Sequence, residues 1–352
     1  MKMTFQKLVI GASIAIGVSA LATAPAHATS FSFNNPNEIR TYTGGSNGTF
    51  KANDTVAASK ALSDSNPSSN VELWYSTENP TSNVGFTATQ GNYSATVSSV
   101  TADDWNSFGS QWLGDLLSTY TPFKSVWNGF SATTQSLVTS YFPLLGMGDP
   151  NVGSFQFGQN GGVELALVGH LDVKTKLSET LTTKLNAAYT TPIAVTSTTT
   201  LKSLFGDKDI TLVTASDVSA KISSLQLLAN LPLTSAATKL TLQTQITQLT
   251  SFKDLLNFQA ALKVYQGEIG ASEIAKVVTG NKTYYAYSFN STASGITASD
   301  DGVSYSAYYT WKTPDYIAPT PPKSVPEPSV ILGLLGVAGI FTTRRQIKKV
   351  SI

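Results

Sequence analysis

Two apolar segments, one near each end of the 352-residue chain, decide which residues are left to fold together. At the N-terminus Lys2 and Lys7 precede an apolar stretch from Leu8 to about Ala22, and Ala26-His27-Ala28 stands just before Thr29. A basic head, an apolar middle and a small-residue cleavage site are the layout of a secretory signal peptide, with Ala26 and Ala28 at the positions that signal peptidase reads. The head carries no twin arginine, so export of the unfolded chain by the general route is expected. Residues 1–28 are then removed and the mature chain starts near Thr29.

At the other end Val330 to Phe341 is an unbroken run of twelve apolar or small residues, extended to fourteen by Thr342 and Thr343. A fourteen-residue helix covers only about 21 Å of a hydrocarbon layer about 30 Å thick, which is marginal for a permanent anchor. Gly333, Gly336 and Gly339 form a narrow smooth stripe along which another membrane helix can approach. Arg344 and Arg345 follow, and basic flanks stay cytoplasmic, so the body is expected on the outer side. Ahead of this run, Ala318 to Pro328 (APTPPKSVPEP) holds five of the fifteen prolines. Such a segment is a semi-rigid extended spacer of about 3.1 Å per residue.

Taken together these tail residues resemble the PEP-CTERM sorting signals. The resemblance covers about 28 residues: Pro326, Glu327 and Pro328 match the recognition motif, the run from Val330 matches the helix, and Arg344 with Arg345 match the basic end. The chain departs from the pattern in running on from Gln346 to Ile352. The resemblance implies processing by exosortase, a membrane-embedded cysteine transpeptidase or protease of Gram-negative bacteria that make exopolysaccharide. It also implies a stay in the inner membrane that is transient, followed by delivery to the cell surface or extracellular matrix of a biofilm. The resulting division is a signal peptide at 1–28, an exported body at 29–317, a Pro-rich spacer at 318–324 and the sorting segment at 325–349.

The body must fold without disulfides, because the chain contains no cysteine. Its stability therefore rests on a hydrophobic core, which about 290 residues can supply. Thiolate catalysis and sulfur-ligated metal are excluded as well. Charged residues are only 13% of the chain, with serine, threonine and asparagine in their place. Setting aside Lys2, Lys7, Arg344, Arg345, Lys348 and Lys349 leaves 17 basic against 22 acidic groups, and a single arginine, Arg40. A mildly acidic surface so poor in arginine excludes phosphate-backbone recognition, and with it nucleic acid.

Along the body, EIRTYT, VELWYST and GFTATQGNYSATVSSV cluster between turn residues and predict strands from Asn37 to Val100. Thr101 three residues before Asp104 predicts a capped helix start, with Trp105, Phe108, Trp112, Leu113, Leu116 and Tyr120 at helical spacing. In GGVELALVGHLDV, Val163, Leu165, Leu167, Leu171 and Val173 share one strand face and Glu164, His170 and Asp172 the other. From about 174 to 280 the period is mainly helical, with Ser251 and Asp254 offering a second capping box, and KLTLQTQIT fits either period. KTYYAYSFN and VSYSAYYTW then read as two strands paired through the loop at Asp300, Asp301 and Gly302. The expected class is α+β: β-rich N- and C-terminal parts, a helical middle, and one C-terminal hydrophobic helix.

Few residues suggest chemistry. Trp105, Trp112 and Trp127 are candidate ligand-stacking residues for a sugar, although an apolar stripe on a capped helix more naturally packs as core. Gly44-Gly45-Ser46-Asn47-Gly48 matches a hydrolase elbow in letters but lacks the preceding sheet and following helix, so it reads as a turn. His170 with Asp172 is too small a set for a zinc site, and Asp207-Lys208-Asp209 and Asp300-Asp301 lack ordered Ca²⁺-loop spacing. A glycosidase needs only two carboxylates, and no feature singles out a pair. No P-loop, dinucleotide fingerprint or HExxH is present. The expectation is a non-enzymatic envelope or matrix protein with no metal and no cofactor, whose partners are signal peptidase, exosortase and an exopolysaccharide. The alternative is a secreted carbohydrate-binding module or glycan-active enzyme.

Overall fold

The computed structural model describes residues 28–43, 49–66, 68–73, 81–193, 198–289, 292–293 and 307–319. The chain opens with β1 (Ser30–Phe33), β2 (Arg40–Thr43), β3 (Thr49–Ala52), α1 (Thr55–Ser63), β4 (Asn70–Glu72), β5 (Gly85–Gln90) and β6 (Tyr93–Ser98). Three helices follow: α2 (Ala102–Thr119), α3 (Thr121–Asn128) and α4 (Ala132–Thr139). After β7 (Asn151–Phe157), β8 (Val163–Val168) and β9 (Leu171–Asp172) come α5 (Val173–Thr190), α6 (Leu201–Leu204), α7 (Ala215–Ala229) and α8 (Ala236–Val264). The C-terminal strands are β10 (Gly270–Ala271), β11 (Ala275–Thr279), β12 (Lys282–Ala286), β13 (Thr292–Ala293) and β14 (Ala307–Lys312).

Antiparallel pairing builds a five-stranded sheet in the order β1-β5-β6-β11-β12 and a seven-stranded sheet in the order β13-β14-β8-β7-β4-β2-β3. Period-2 alternation turns Phe86, Ala88, Ala95, Val97 and Val277 to one face of the first sheet, with Phe86 opposite Val97 and Ala88 opposite Ala95. The second sheet offers Val152, Phe155, Phe157, Val163, Leu165, Leu167 and Tyr309 to the same core. Phe155 joins the two layers, with its ring 5.9 Å from Phe31 and 5.8 Å from Phe86 in edge-to-face geometry.

A second core lies among the helices. The chain leaves the strands twice, from β6 to β7 through α2–α4 and from β9 to β10 through α5–α8, and the two excursions pack together around Trp112, Phe142, Phe252 and Phe258. The two cores are bridged at Asp104 in the first turn of α2, which accepts from Lys276 Nζ of β11 at 2.7 Å and from Asn83 Nδ2 at 2.7 Å. The same carboxylate accepts from the Thr101 backbone N–H while Thr101 Oγ1 accepts from Asp104 N–H, closing the expected capping box. Burial opposes charge on Asp104, but the hydrogen bonds from Lys276, Asn83 and Thr101, with the Lys276 charge, outweigh it and hold the carboxyl below its ordinary range.

The mixed α+β class with a helical middle agrees with the sequence reading, while several local expectations need correction. Among the described residues KTYYAYSFN and VSYSAYYTW do not pair: β12 adds to β11 in one sheet and β14 adds to β8 in the other. The strand expected over Val163 to Val173 ends at Val168, because Gly169 takes φ 114° and Val173 starts α5. Ala166 and Val168, on the face that carries Glu164, are also buried. Ser251 and Asp254 lie inside α8, whose N-cap is Ser235, accepting from Thr238 N–H at 3.1 Å. KLTLQTQIT belongs to that helix. The β-rich first part also contains α1, started by Asp54, which accepts from Val56 and Ala57 N–H. Among the described residues no helix is long and apolar enough to cross a membrane.

Candidate functional site

The three tryptophans are brought together, and they are core. Trp105 is 7% exposed, Trp127 4% and Trp112 0%. Trp112 lies 5.4 Å from the rings of Trp105, Phe142 and Phe289, and Trp127 meets Phe258 edge-on at 5.8 Å. An indole enclosed on all sides has no face to offer a sugar, so the stacking expectation finds no surface at Trp112 or Trp127. The Trp112 indole nitrogen makes no hydrogen bond and sits among aromatic rings. Gly109 explains the packing of Trp105: a β-carbon there would stand 2.3 Å from the indole nitrogen. In an exposed helix Gly→Ala gains up to about 1 kcal/mol. Here Gly109→Ala is expected to cost about 1–3 kcal/mol instead, because a packed indole cannot retreat. Chemical denaturation of the two proteins checks the sign.

Beside Trp105 a cavity of about 320 Å³ is lined mainly by Val100, Phe142, Leu144, Met147 and Ile274, with Thr81, Thr101 and the single carboxylate of Asp103 as its polar side chains. It is apolar and holds no acid–base pair.

A more polar concavity of about 500 Å³ opens at one end of the paired sheets. Three turns meet there, between β5 and β6, between β7 and β8, and between β11 and β12. They contribute Asn92, Tyr93, Asn160 and Asn281, joined by Tyr284 and Asp315. Tyr93 is held by donating from its hydroxyl to Gln159 O at 2.7 Å, and Asn160 Nδ2 donates to Asp315 O. Amides, hydroxyls, the Asp315 carboxylate, the Lys282 ammonium and two aromatic rings around a shallow space suit a polyhydroxylated ligand. None of this was visible in sequence, since the residues come from four distant segments.

The other sequence candidates are accounted for locally. His170 Nδ1 lies 3.1 Å from the Tyr309 hydroxyl, whereas Asp172 caps α5 by accepting from Thr175 N–H and Oγ1, so the two do not form a dyad. Asp209 accepts from Thr211 N–H and Oγ1, and these bonds hold its carboxyl below the ordinary range. Among the described residues no three His, Cys, Asp or Glu side chains lie together as a metal site would need. Gly44–Gly48, Asp300, Asp301, Ala26, Pro326, Glu327, Pro328, Arg344 and Arg345 lie outside the described residues.

Both ends of the described chain are tied to the strands. Ala28 is exposed, and β1 begins at Ser30 and pairs with β5 along its length. At the far end Gln159 donates from its backbone to Ile317 O at 2.9 Å and from its side chain to Ala318 O at 2.8 Å. Partial burial, together with the charge of Glu164 and the hydrogen bond to it, pushes the hydroxyl of half-buried Tyr316 up to about 12. No protein-family model, no curated protein and no solved structure matches the chain.

Proposed function

We propose that this is a non-enzymatic protein of the cell envelope or extracellular matrix of a Gram-negative bacterium. On this reading it is exported by a signal peptide cleaved after Ala28 and sorted by exosortase-type processing of the tail from Val325. The observation that carries the reading is the pair of terminal signals, Lys2 to Ala28 and Pro326 to Arg345, on one chain. Supporting it, β1 starts at Ser30, close to the expected cleavage point, and β14 is followed by a segment tied through Ala318, where the proline-rich spacer begins.

A second reading, glycan binding, is favoured by one observation, the polar concavity around Tyr93, Asn160 and Asp315. The body would then hold an exopolysaccharide of the producing cell.

Cell fractionation of the intact chain and of one lacking Val325 to Ile352 tests the first reading. The intact chain is expected at the cell surface or in the matrix with a shortened C-terminus, and the truncated chain in the periplasm. Identical distribution with an unprocessed C-terminus would contradict sorting. For the second reading, Asn160→Ala is expected to be retarded less by polysaccharide and to bind it at least about tenfold more weakly than wild type, the loss of one or two hydrogen bonds. Equal retardation of both proteins in affinity electrophoresis would remove it.

A further inference from the structure

The α7–α8 hairpin extends past the helical core. From Gln226 to Gln245 no residue is buried, whereas Leu225 before and Ile246 after are core residues. The turn is fixed rather than loose: Thr234 N–H donates to Leu231 O at 3.1 Å, Thr234 Oγ1 donates to Leu228 O at 2.8 Å, and Ser235 caps α8. Held in that geometry, five leucines face outward: Leu227 (72% exposed), Leu228, Leu231, Leu233 (99%) and Leu240 (71%). Single exposed leucines are ordinary, but five on one tip are an apolar patch that needs an occupant.

The charge pattern says which occupant. Between Gln226 and Gln245 the tip has Lys239 and no carboxylate, the flanking acids Asp217 and Asp254 lying beyond the core residues Leu225 and Ile246, in a body that is otherwise acidic overall. Leucines and hydroxyls with a lysine and no acid are the composition that enters the headgroup region of an anionic bilayer. The end of two helices, each about 10–12 Å across, offers a few hundred Å² at most, below the roughly 800 Å² per partner of a stable dimer.

We propose that the α7–α8 tip is a lipid-binding arm that seats Leu227, Leu231 and Leu233 among the acyl chains of an anionic membrane, with Lys239 at its headgroups. It acts whether the C-terminal tail is kept or removed, so it stands apart from the sorting proposal.

The absence of cysteine makes a clean test. The full mature chain carrying Leu233→Cys, labelled with the environment-sensitive dye NBD, is reconstituted into vesicles of phosphatidylcholine and phosphatidylglycerol containing doxyl-labelled lipid. The expected result is blue-shifted emission quenched by the doxyl lipid, with water-like emission from Thr283→Cys on exposed β12. Adding Leu231→Ser, at a half-exposed position outside both cores, is expected to shift the insertion equilibrium about tenfold toward water, the value of one buried leucine. Water-like emission at 233 in these vesicles would overturn the proposal. So would a blue shift that depends on protein concentration without lipid, which would assign the tip to a second copy.

Discussion

Trp112→Ala is expected to lower the free energy of unfolding by about 3–5 kcal/mol, a large part of the total for a domain of this size. The indole is fully buried and touches Trp105, Phe142 and Phe289, which come from α2, the segment before β7, and the segment after β12. The neighbours are large rings already packed against one another, so a cavity term adds to the lost transfer energy. Urea denaturation followed by far-ultraviolet circular dichroism measures it. A cost below about 1 kcal/mol would mean that the indole is not packed as described and would reopen a surface role for it.

Asp104→Ala is expected to cost about 3 kcal/mol. The change removes the Asp104 half of the α2 capping box, worth up to about 1 kcal/mol, and leaves Lys276 without its partner in a half-buried position. It also supplies a pH signature. The Asp104 carboxyl titrates lower in the fold than the ordinary value of 3.8. Its contribution is therefore fully present above about pH 4 and is lost as pH falls through the depressed folded value. Wild type should lose stability over that acid window more steeply than Asp104→Asn, which keeps the shape without the charge. Parallel pH–stability curves for the two proteins would contradict the bridge between the cores.

These two residues belong to the part of the fold that the sequence makes legible. Thr101 and Asp104 announce a helix start because the signal is local, and Trp105, Phe108 and Trp112 mark its buried face by their spacing. The same letters mislead at Ser251 and Asp254. A serine can cap only N–H groups that lack partners, and Ser235 has already started that helix. Partner choice between strands is not local at all: alternation told that Tyr285 and Tyr309 sit on strands, but not that β12 and β14 join different sheets. The polar concavity was hidden for the same reason, because Tyr93, Asn160, Asn281 and Asp315 meet only after both sheets close. The tip leucines illustrate a further limit. In sequence Leu227, Leu231 and Leu233 look like any helical core, and only the point at which α7 and α8 leave the body separates them from Leu225 and Ile246.

The central claim, that the final apolar segment is a sorting tag and not a lasting anchor, is tested most directly by the intact mass of the mature protein isolated from its producing cells. The account predicts an N-terminus at Thr29 and a C-terminus that has lost Arg344, Arg345 and everything beyond them. Mature protein ending at Ile352, extracted only with the inner membrane, would contradict it.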